Sequence, residues 1–569
     1  GGACNTAVGN LALAANSSAS NNTAFGYQTL CASTTANFNT AVGMEAGMSV
    51  TTGSQNTFLG FRAGDLNTTG CCNTAVGTNA MGANTTADNN TAVGHSALIA
   101  NTTGCQNTAV GLSSMFTNTT GCQNVAMGRQ SLHDNTTGKC NVALGYNSLF
   151  NNETADNNTA VGTHALFANT TGAANTAVGF DALKASTTSA YNSAFGSYAL
   201  DANTTGAKNV GIGFNALGGN TTASSNTGVG TCALFANTTG AQNVSVGSGA
   251  LLANTTGCRN IAIGYNSLTV NTTGCCNVSV GRASLDANID GDFNTAVGTN
   301  SLSGNTTANN NTAIGYLTMN ANTTGTENVA VGSGALDSNT TAGCNTSIGH
   351  GSMGDNTEGA SNVAVGRSAL GSNTTGNSNV SIGRNSLTLN TTATGNTAVG
   401  AFALDKNTTG GCNTGLGWQA LTVNTGSNNT AVGTLALLAN TTGTENVAIG
   451  FMTMCSTTTA DNNVAVGNYS MRAATTGNNN TAVGYCSLKA NTTGACNTAV
   501  GKDSLCVNQT GTFLVAMGQS ALRNNTGSSN TAVGADAMFG NSSGSSNSAF
   551  GKMALNCNTT ASNNAAVGY

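Results

Sequence analysis

Large apolar side chains recur along this chain at two fixed offsets inside a period of 17 residues. The first offset lies in the pentapeptide Asn5-Thr6-Ala7-Val8-Gly9, which returns as Asn22 to Gly26, Asn39 to Gly43, Asn73 to Gly77 and onward to Asn564 to Gly568. The slot occurs 34 times, and only two steps shorten to 16 residues, Asn413 to Asn429 and Leu514 to Asn530. A period of this size marks stacked units, each of which buries its apolar face only against its neighbours. With the pentapeptide Asn as slot 0, the unit reads Asn-Thr-Ala-Val-Gly-x-x-Ala-Leu-x-x-Asn-Thr-Thr-Gly-x-x.

Slot 3 is always large and apolar, as Val8, Phe25, Leu59, Met127, Ile263 and Phe550 show. Slot 8 is Leu or Met (Leu13, Met81, Leu166, Leu302), with Gly47 and Gly64 as exceptions. These two columns are expected to form the interior. Slot 1 exchanges Thr for Val or Ile, which suits a strand whose alternate residues share a face. Slot 4 is Gly throughout, including Gly9, Gly26, Gly43 and Gly94, and is expected to turn the chain with a backbone closed to other residues. A second short strand near slots 7 to 9 and an Asn-Thr-Thr-Gly turn would complete the rung. The predicted fold is all-β: a parallel β-solenoid with one 17-residue repeat per rung. At ~4.8 Å per rung the intervals sum to a rod on the order of 160 Å. Stacked Asn side chains should form amide ladders, with a fault where Leu514 replaces Asn. Slot 2 is nearly always Ala, Gly or Ser, with Phe58 the one bulky exception. So small a column suggests close packing on a second body, hence a homo-oligomer or filament.

Composition narrows the class. Charged residues are 6% of the chain, there are 76 glycines and no proline, against roughly 25% charged residues in ordinary soluble domains. The apolar columns argue against disorder, and the unbroken period against several globular domains, so residues 1–569 read as one continuous solenoid of about 34 repeats. The chain opens on Gly1 and stops just after a pentapeptide, which suggests a window of a longer protein. Net charge is −5, with the few Lys and Arg scattered, so no phosphate-neutralising stripe supports nucleic-acid binding. No apolar run is long enough for a membrane-spanning helix.

Candidate chemistry is sparse. His95, His133, His164 and His350 lie far apart in the repeat pattern, the carboxylates are scattered, and no phosphate loop or nucleophile elbow occurs. We therefore expect no enzyme and no cofactor. Charged residues favour slots 5, 6, 9 and 10, as with Arg129, Arg62, Asp201 and Asp134, and read as solvated corners. Many of the 18 cysteines occupy slots 15 and 16. Cys105 with Cys122, and Cys258 with Cys275, share slot 15 one rung apart, within Cα reach of a disulfide. Such bonds would imply an oxidising setting. Slot 11 is Asn in most units and often opens Asn-x-Ser/Thr, as at Asn67, Asn101 and Asn254. These are candidate glycan acceptors, though Asn and Thr also suit the turn. Slot 5 is often aromatic (Tyr146, Phe180, Phe214, Trp418), and such a stripe could stack on sugars or on another fibre, or simply cover neighbouring glycines.

The pentapeptide followed by Ala-Leu, as in Asn90 to Gly94 then Ala97-Leu98, resembles the head repeats of YadA-like trimeric autotransporter adhesins and is similar to repeats of phage and viral fibre proteins. The resemblance runs over essentially the whole chain, with a longer unit because of the Asn-Thr-Thr-Gly turn. It implies a left-handed parallel β-roll, trimeric packing and an extracellular, cell-surface or virion-surface location. The expected function is the structural shaft of a filament, adhesin or viral fibre. The alternative is a module for a repetitive ligand, either a cell-surface polysaccharide or, through Thr arrays, ice. Thr6 and its equivalents are expected to point inward beside Val8, which disfavours ice.

Overall fold

The structure is a computed structural model that describes residues 2–569. It divides into two compact units, Gly1–Asp290 and Gly291–Tyr569. The first holds β1 (Thr6–Val8) through β17 (Val278–Val280), and the second β18 (Thr295–Val297) through β34 (Ala565–Val567). Every strand is three residues long, covers slots 1 to 3, and pairs in parallel with the next rung of its unit. Like pairs with like: Thr159, Ala160 and Val161 face Thr176, Ala177 and Val178. Each unit is therefore the expected β-solenoid, built from one repeat per rung.

The second strand near slots 7 to 9 does not form among the described residues. That arc is a run of turns in which slots 6 and 8 take left-handed backbone, as at Asn79 (φ 56°) and Met81 (φ 53°). Alternating handedness turns successive amides up and down the stack. Gly77 and Asn79 N–H groups donate to Leu59 and Phe61 on the rung before, at 2.7 and 2.9 Å. Those of Met81 and Ala83 donate to Ala97 and Ile99 on the rung after, at 2.9 and 2.8 Å. Left-handed backbone costs a non-glycine residue roughly 1–2 kcal/mol. Slot 8 is fully buried in nearly every rung (Leu166, Leu302 and Met81, all 0% exposed), and burying a Leu or Met side chain contributes about 1.5–3 kcal/mol.

The strand faces the opposite way from the expectation. Slots 0 and 2 point inward and slots 1 and 3 outward: Ala160 and Ala262 are fully buried, while Ile263 is 39% exposed. The interior is narrow, and Ala opposite Leu fills it, which is why slot 2 stays small. The Ala column packs on the chain's own slot 8, and no second body is needed to explain it.

Two buried Asn columns close each rung. In one rung the Asn56 Nδ2 (slot 0) and the Asn67 Nδ2 (slot 11) both donate to the Gly70 carbonyl, each at 2.9 Å. Their oxygens serve the next rung: Asn56 Oδ1 accepts from the Asn73 N–H at 2.9 Å and Asn67 Oδ1 from the Asn84 Nδ2 at 2.7 Å. Most interior polar groups are thus satisfied by translation along the stack, as burial demands. The slot 11 column is broken where Ser33, Ser186 and Thr457 replace Asn, leaving Ser33 Oγ, Asn169 Oδ1, Asn440 Oδ1 and Thr457 Oγ1 without a partner.

The exceptions explain one another. Phe58, the bulky residue at slot 2, is 1% exposed and fills the space left where slot 8 is Gly. A Cβ on Gly47 would lie 2.8 Å from Phe58 Cδ2, and one on Gly64 would meet the same ring. Both 16-residue rungs lose one residue from the Asn-Thr-Thr-Gly turn. There the slot 11 amide reaches a carbonyl two residues on (Asn424 to Gly426, Asn525 to Gly527) instead of three, as in Asn407 to Gly410. The expected fault lies at Leu514. Its own N–H still donates to Asn497 Oδ1 at 3.0 Å, but its side chain carries no oxygen for the Asn530 N–H.

Candidate functional site

Slots 1 and 3 place an uninterrupted uncharged face on the outside of each unit. Every strand contributes a Thr, Val, Ile, Ser or Ala and then a Val, Ile, Leu, Met or Phe. Phe25 is 54% exposed and Met127 44%. At slot 1, Val244, Ile261 and Val278 replace Thr on consecutive rungs, and at slot 3 Phe25, Met127 and Phe195 stand above the smaller Val residues. Thr6 therefore points outward with Val8, contrary to the expectation, yet the hydroxyl array it belongs to is neither continuous nor flat.

The slot 4 glycines turn the chain beside this face. Gly9, Gly26, Gly43 and Gly94 have φ of 133°, 143°, 133° and 136°, a region other residues avoid. The corner is also crowded by the next rung: a Cβ on Gly26 would lie 2.5 Å from the Gly43 oxygen.

Past that corner the first unit carries two ring ladders. At slots 5 and 6 the rings alternate sides. Tyr146 meets His164 at 5.5 Å between centroids, His164 meets Phe180 at 6.3 Å, Phe180 meets Tyr198 at 5.3 Å and Tyr198 meets Phe214 at 6.1 Å. All four contacts are tilted or edge-on, between 52° and 87°. Arg129 lies over the Tyr146 ring at 5.6 Å. Asp181 joins this row, with Oδ1 3.1 Å from His164 Nδ1 and Oδ2 accepting from Lys184 Nζ at 2.9 Å. At slot 9, by contrast, Phe116, His133, Phe150 and Phe167 stack face to face at 5.0, 4.7 and 5.4 Å, within 21° of parallel. The structure thus brings Tyr146, Phe180 and Phe214 into one assembly. Trp418, 48% exposed, belongs to no such row. The sequence does not reveal the intervening His164 and Tyr198, because they sit at slot 6 and only the folded turn brings that slot beside slot 5.

Slot 9 is half-buried, not the solvated corner expected. Asp65, Asp201, Asp286 and Asp337 all sit there, and burial pushes each carboxyl above its ordinary value of 3.8. Shallow surface recesses follow slots 9 and 10, one of about 500 Å³ beside Arg472, Lys489 and Cys506. Among the described residues no three His, Cys, Asp or Glu side chains converge as metal ligands do.

The four disulfide candidates are hydrogen-bonded thiols. Cys105 Sγ lies 3.3 Å from Cys122 Sγ, and Cys258 Sγ 3.0 Å from Cys275 Sγ, against about 2.05 Å for a bond. Side chains stacked in parallel start ~4.8 Å apart, wider than the Cβ separation near 3.8 Å that a disulfide prefers. The hydrogen bond to Cys122, and then burial, raise the Cys105 thiol above its ordinary value. The candidate glycan acceptors lie inside the fold, out of reach of a glycan. Asn67, Asn101 and Asn254 are fully buried, and Asn101 Nδ2 donates to Asn84 Oδ1 and the Gly104 carbonyl, both at 2.9 Å. Asn254 does the same with Asn237 and Gly257. The turn requirement alone accounts for the Asn-Thr-Thr-Gly pattern. No helix is long and apolar enough to cross a membrane among the described residues. Set against models of known families the chain matches none, and set against curated proteins it likewise matches none.

Proposed function

We propose that the chain is the shaft of an extracellular filament, adhesin or viral fibre, assembled from copies of itself through the slot 1 and slot 3 face. The observation that carries this reading is the inversion of the strand: amides inside, a continuous apolar column outside. Monomeric proteins rarely expose contiguous apolar patches beyond a few hundred Å², and this column recurs on every rung. A periodic face best suits a partner with the same period, which a second copy supplies. The likeness of the Asn-Thr-Ala-Val-Gly repeats to surface-adhesin and phage-fibre repeats supports the location. The ice alternative is disfavoured by the broken Thr column and by Phe25, Met127 and Phe195 standing proud of it.

Sedimentation velocity and electron microscopy of the purified chain test the proposal. Assembly with rotational symmetry is expected, and Val246→Lys with Ile263→Lys should dissociate it while leaving the β-type circular dichroism unchanged. A wild-type chain that stays monomeric at tens of micromolar would sink the reading.

A further inference from the structure

The two ring ladders use the same kinds of side chain and present opposite surfaces. At slot 9 each ring lies on the next, so the faces of Phe116, His133, Phe150 and Phe167 cover one another. At slots 5 and 6 the chain sets alternate rings one position aside, and Tyr146, Phe180 and Phe214 are left on every second rung. Their exposures are 41%, 44% and 49%. Two rungs advance ~9.6 Å.

We infer that this stripe binds an extended β-1,4-linked neutral polysaccharide lying along the stack of rungs. In such a polymer successive sugar rings flip, so the same apolar ring face returns once per disaccharide. That advance is close to two rung spacings. Aromatic rings at this interval can each take one sugar face, a geometry that a coiled α-linked chain does not share. His164, Asp181 and Lys184 lie between the rings with donors and acceptors for hydroxyl groups. The arrangement recurs in the second unit. Phe451, Tyr469 and Tyr485 occupy slots 5, 6 and 5, meeting edge-on at 84° and 86°, with Phe451 and Tyr485 again two rungs apart. Arg472 of the same rung lies over Tyr469 at 5.6 Å, whereas Arg129 reaches Tyr146 from the rung before. Tyr265 and Tyr316 have no ring at slot 6 on either adjoining rung, and Trp418, two rungs before Phe451, is parted from it by Leu435 where a ring would alternate; all three are outside the site.

The inference goes beyond the shaft reading and does not need it, since a monomer could bind through the same rings. Retention of the full chain on microcrystalline cellulose, on chitin and on insoluble starch tests it. Retention on cellulose or chitin, with none on starch, is the expected result. Combined Tyr146→Ala, Phe180→Ala, Phe214→Ala, Phe451→Ala and Tyr485→Ala should lower the bound fraction at least tenfold. Removing slot 9 rings that do not touch the stripe (Phe116→Ala, Phe150→Ala) should leave it within twofold; Phe167, which meets His164 edge-on at 5.5 Å, is kept. Because the combined variant strips several packed rings, Phe180→Ser is read beside it in a chain already carrying Phe451→Ala and Tyr485→Ala, with a several-fold further loss expected, and Phe180→Tyr in that chain, which keeps a ring, should cause none. No retention on either β-linked solid, equal retention on starch, or binding indifferent to Phe180→Ser would each overturn the proposal.

Discussion

On nearly every strand the inner and outer faces reverse the common order of a soluble protein, Phe58 being the inward exception. Inside lie Asn and Ala, with Asn243 and Ala262 both fully buried; outside lie Val, Ile, Met and Phe. The inner face tolerates amides because translation gives nearly every one a partner on the next rung, the exceptions including Asn169 and Asn440, whose Oδ1 atoms face Ser186 and Thr457 in place of the next Asn. The outer face has no such internal reason to be apolar. The inner face therefore determines whether a rung forms, and the outer face what the stack can join. Substitutions on the two faces should differ accordingly. Since stability in a repeat array is local, amide exchange resolved by rung is the measurement that separates them.

The largest effect is expected inside, at Phe58. Truncating a buried Phe to Ala costs about 3–5 kcal/mol, and here Gly47 and Gly64 leave nothing to collapse into the void. Phe58→Ala should raise exchange over the rungs that contain Gly47 and Gly64 by several hundred-fold. Adding Gly64→Leu to that variant should recover part of the loss, because the ring and the missing side chain compete for one volume. A loss no larger than that of an ordinary Ala→Gly change would show that the interior is not shared in this way.

Next comes the polar ladder. Asn243 accepts from the Asn260 N–H and donates to the Gly257 carbonyl, both at 2.9 Å. Asn243→Ala strands the Asn260 N–H in the interior, at about 1–3 kcal/mol for an unsatisfied buried group. Gly257 keeps its second donor, Asn254, so exchange should rise mainly at Asn260.

How much of this could be read from the chain depends on which residues carried the information. The period alone identified the solenoid, and Gly at slot 4 identified the corner. The strand's facing is not legible, because large apolar residues at slot 3 suggest a core that the structure places elsewhere. Size was the wrong signal: the small column at slot 2 is small because it is inside, opposite Leu at slot 8. The absence of a second strand is not legible either, because left-handed backbone at Leu and Met has no sequence signature of its own. The aromatic stripe was half legible, since Tyr146, Phe180 and Phe214 share a slot but their partners His164 and Tyr198 do not. The Asn-x-Thr pattern was ambiguous until burial decided it for the turn.

The natural defect at Leu514 sharpens the ladder prediction from the other side. Leu514→Asn offers the Asn530 N–H the oxygen that its equivalents have, as Asn530 Oδ1 already offers the Asn547 N–H at 2.8 Å. Leu and Asn are close in shape, so the buried volume changes little. A net hydrogen bond contributes about 1 kcal/mol, so exchange at Asn530 should slow several-fold.

Between the faces, slot 9 makes the fold mildly sensitive to pH. Burial holds the Asp286 and Asp337 carboxyls above their ordinary 3.8, so the folded rungs bind protons more tightly than the unfolded chain. Their contribution is then fullest at low pH and is lost as pH rises from near 3.8 through the raised folded values. Asp337→Asn should flatten this dependence in its own rung, where Oδ1 is buried without a partner.

The smallest effect on the fold is expected outside, and it is also the most telling about assembly. Ile263→Thr keeps a β-branched residue, so strand propensity is preserved. In an isolated chain Ile263 is already 39% exposed, and surface substitutions of this kind change stability by less than about 0.5 kcal/mol. If copies meet through this face, the same change removes buried methylene at roughly 0.8 kcal/mol per group, once in every copy of the assembly. Measured below and above the assembly concentration, the melting shift should therefore be negligible in the first case and several degrees in the second. A shift equally small at both concentrations would mean that nothing covers the outer face, and the contrast between the two sides of the strand would then be structural alone.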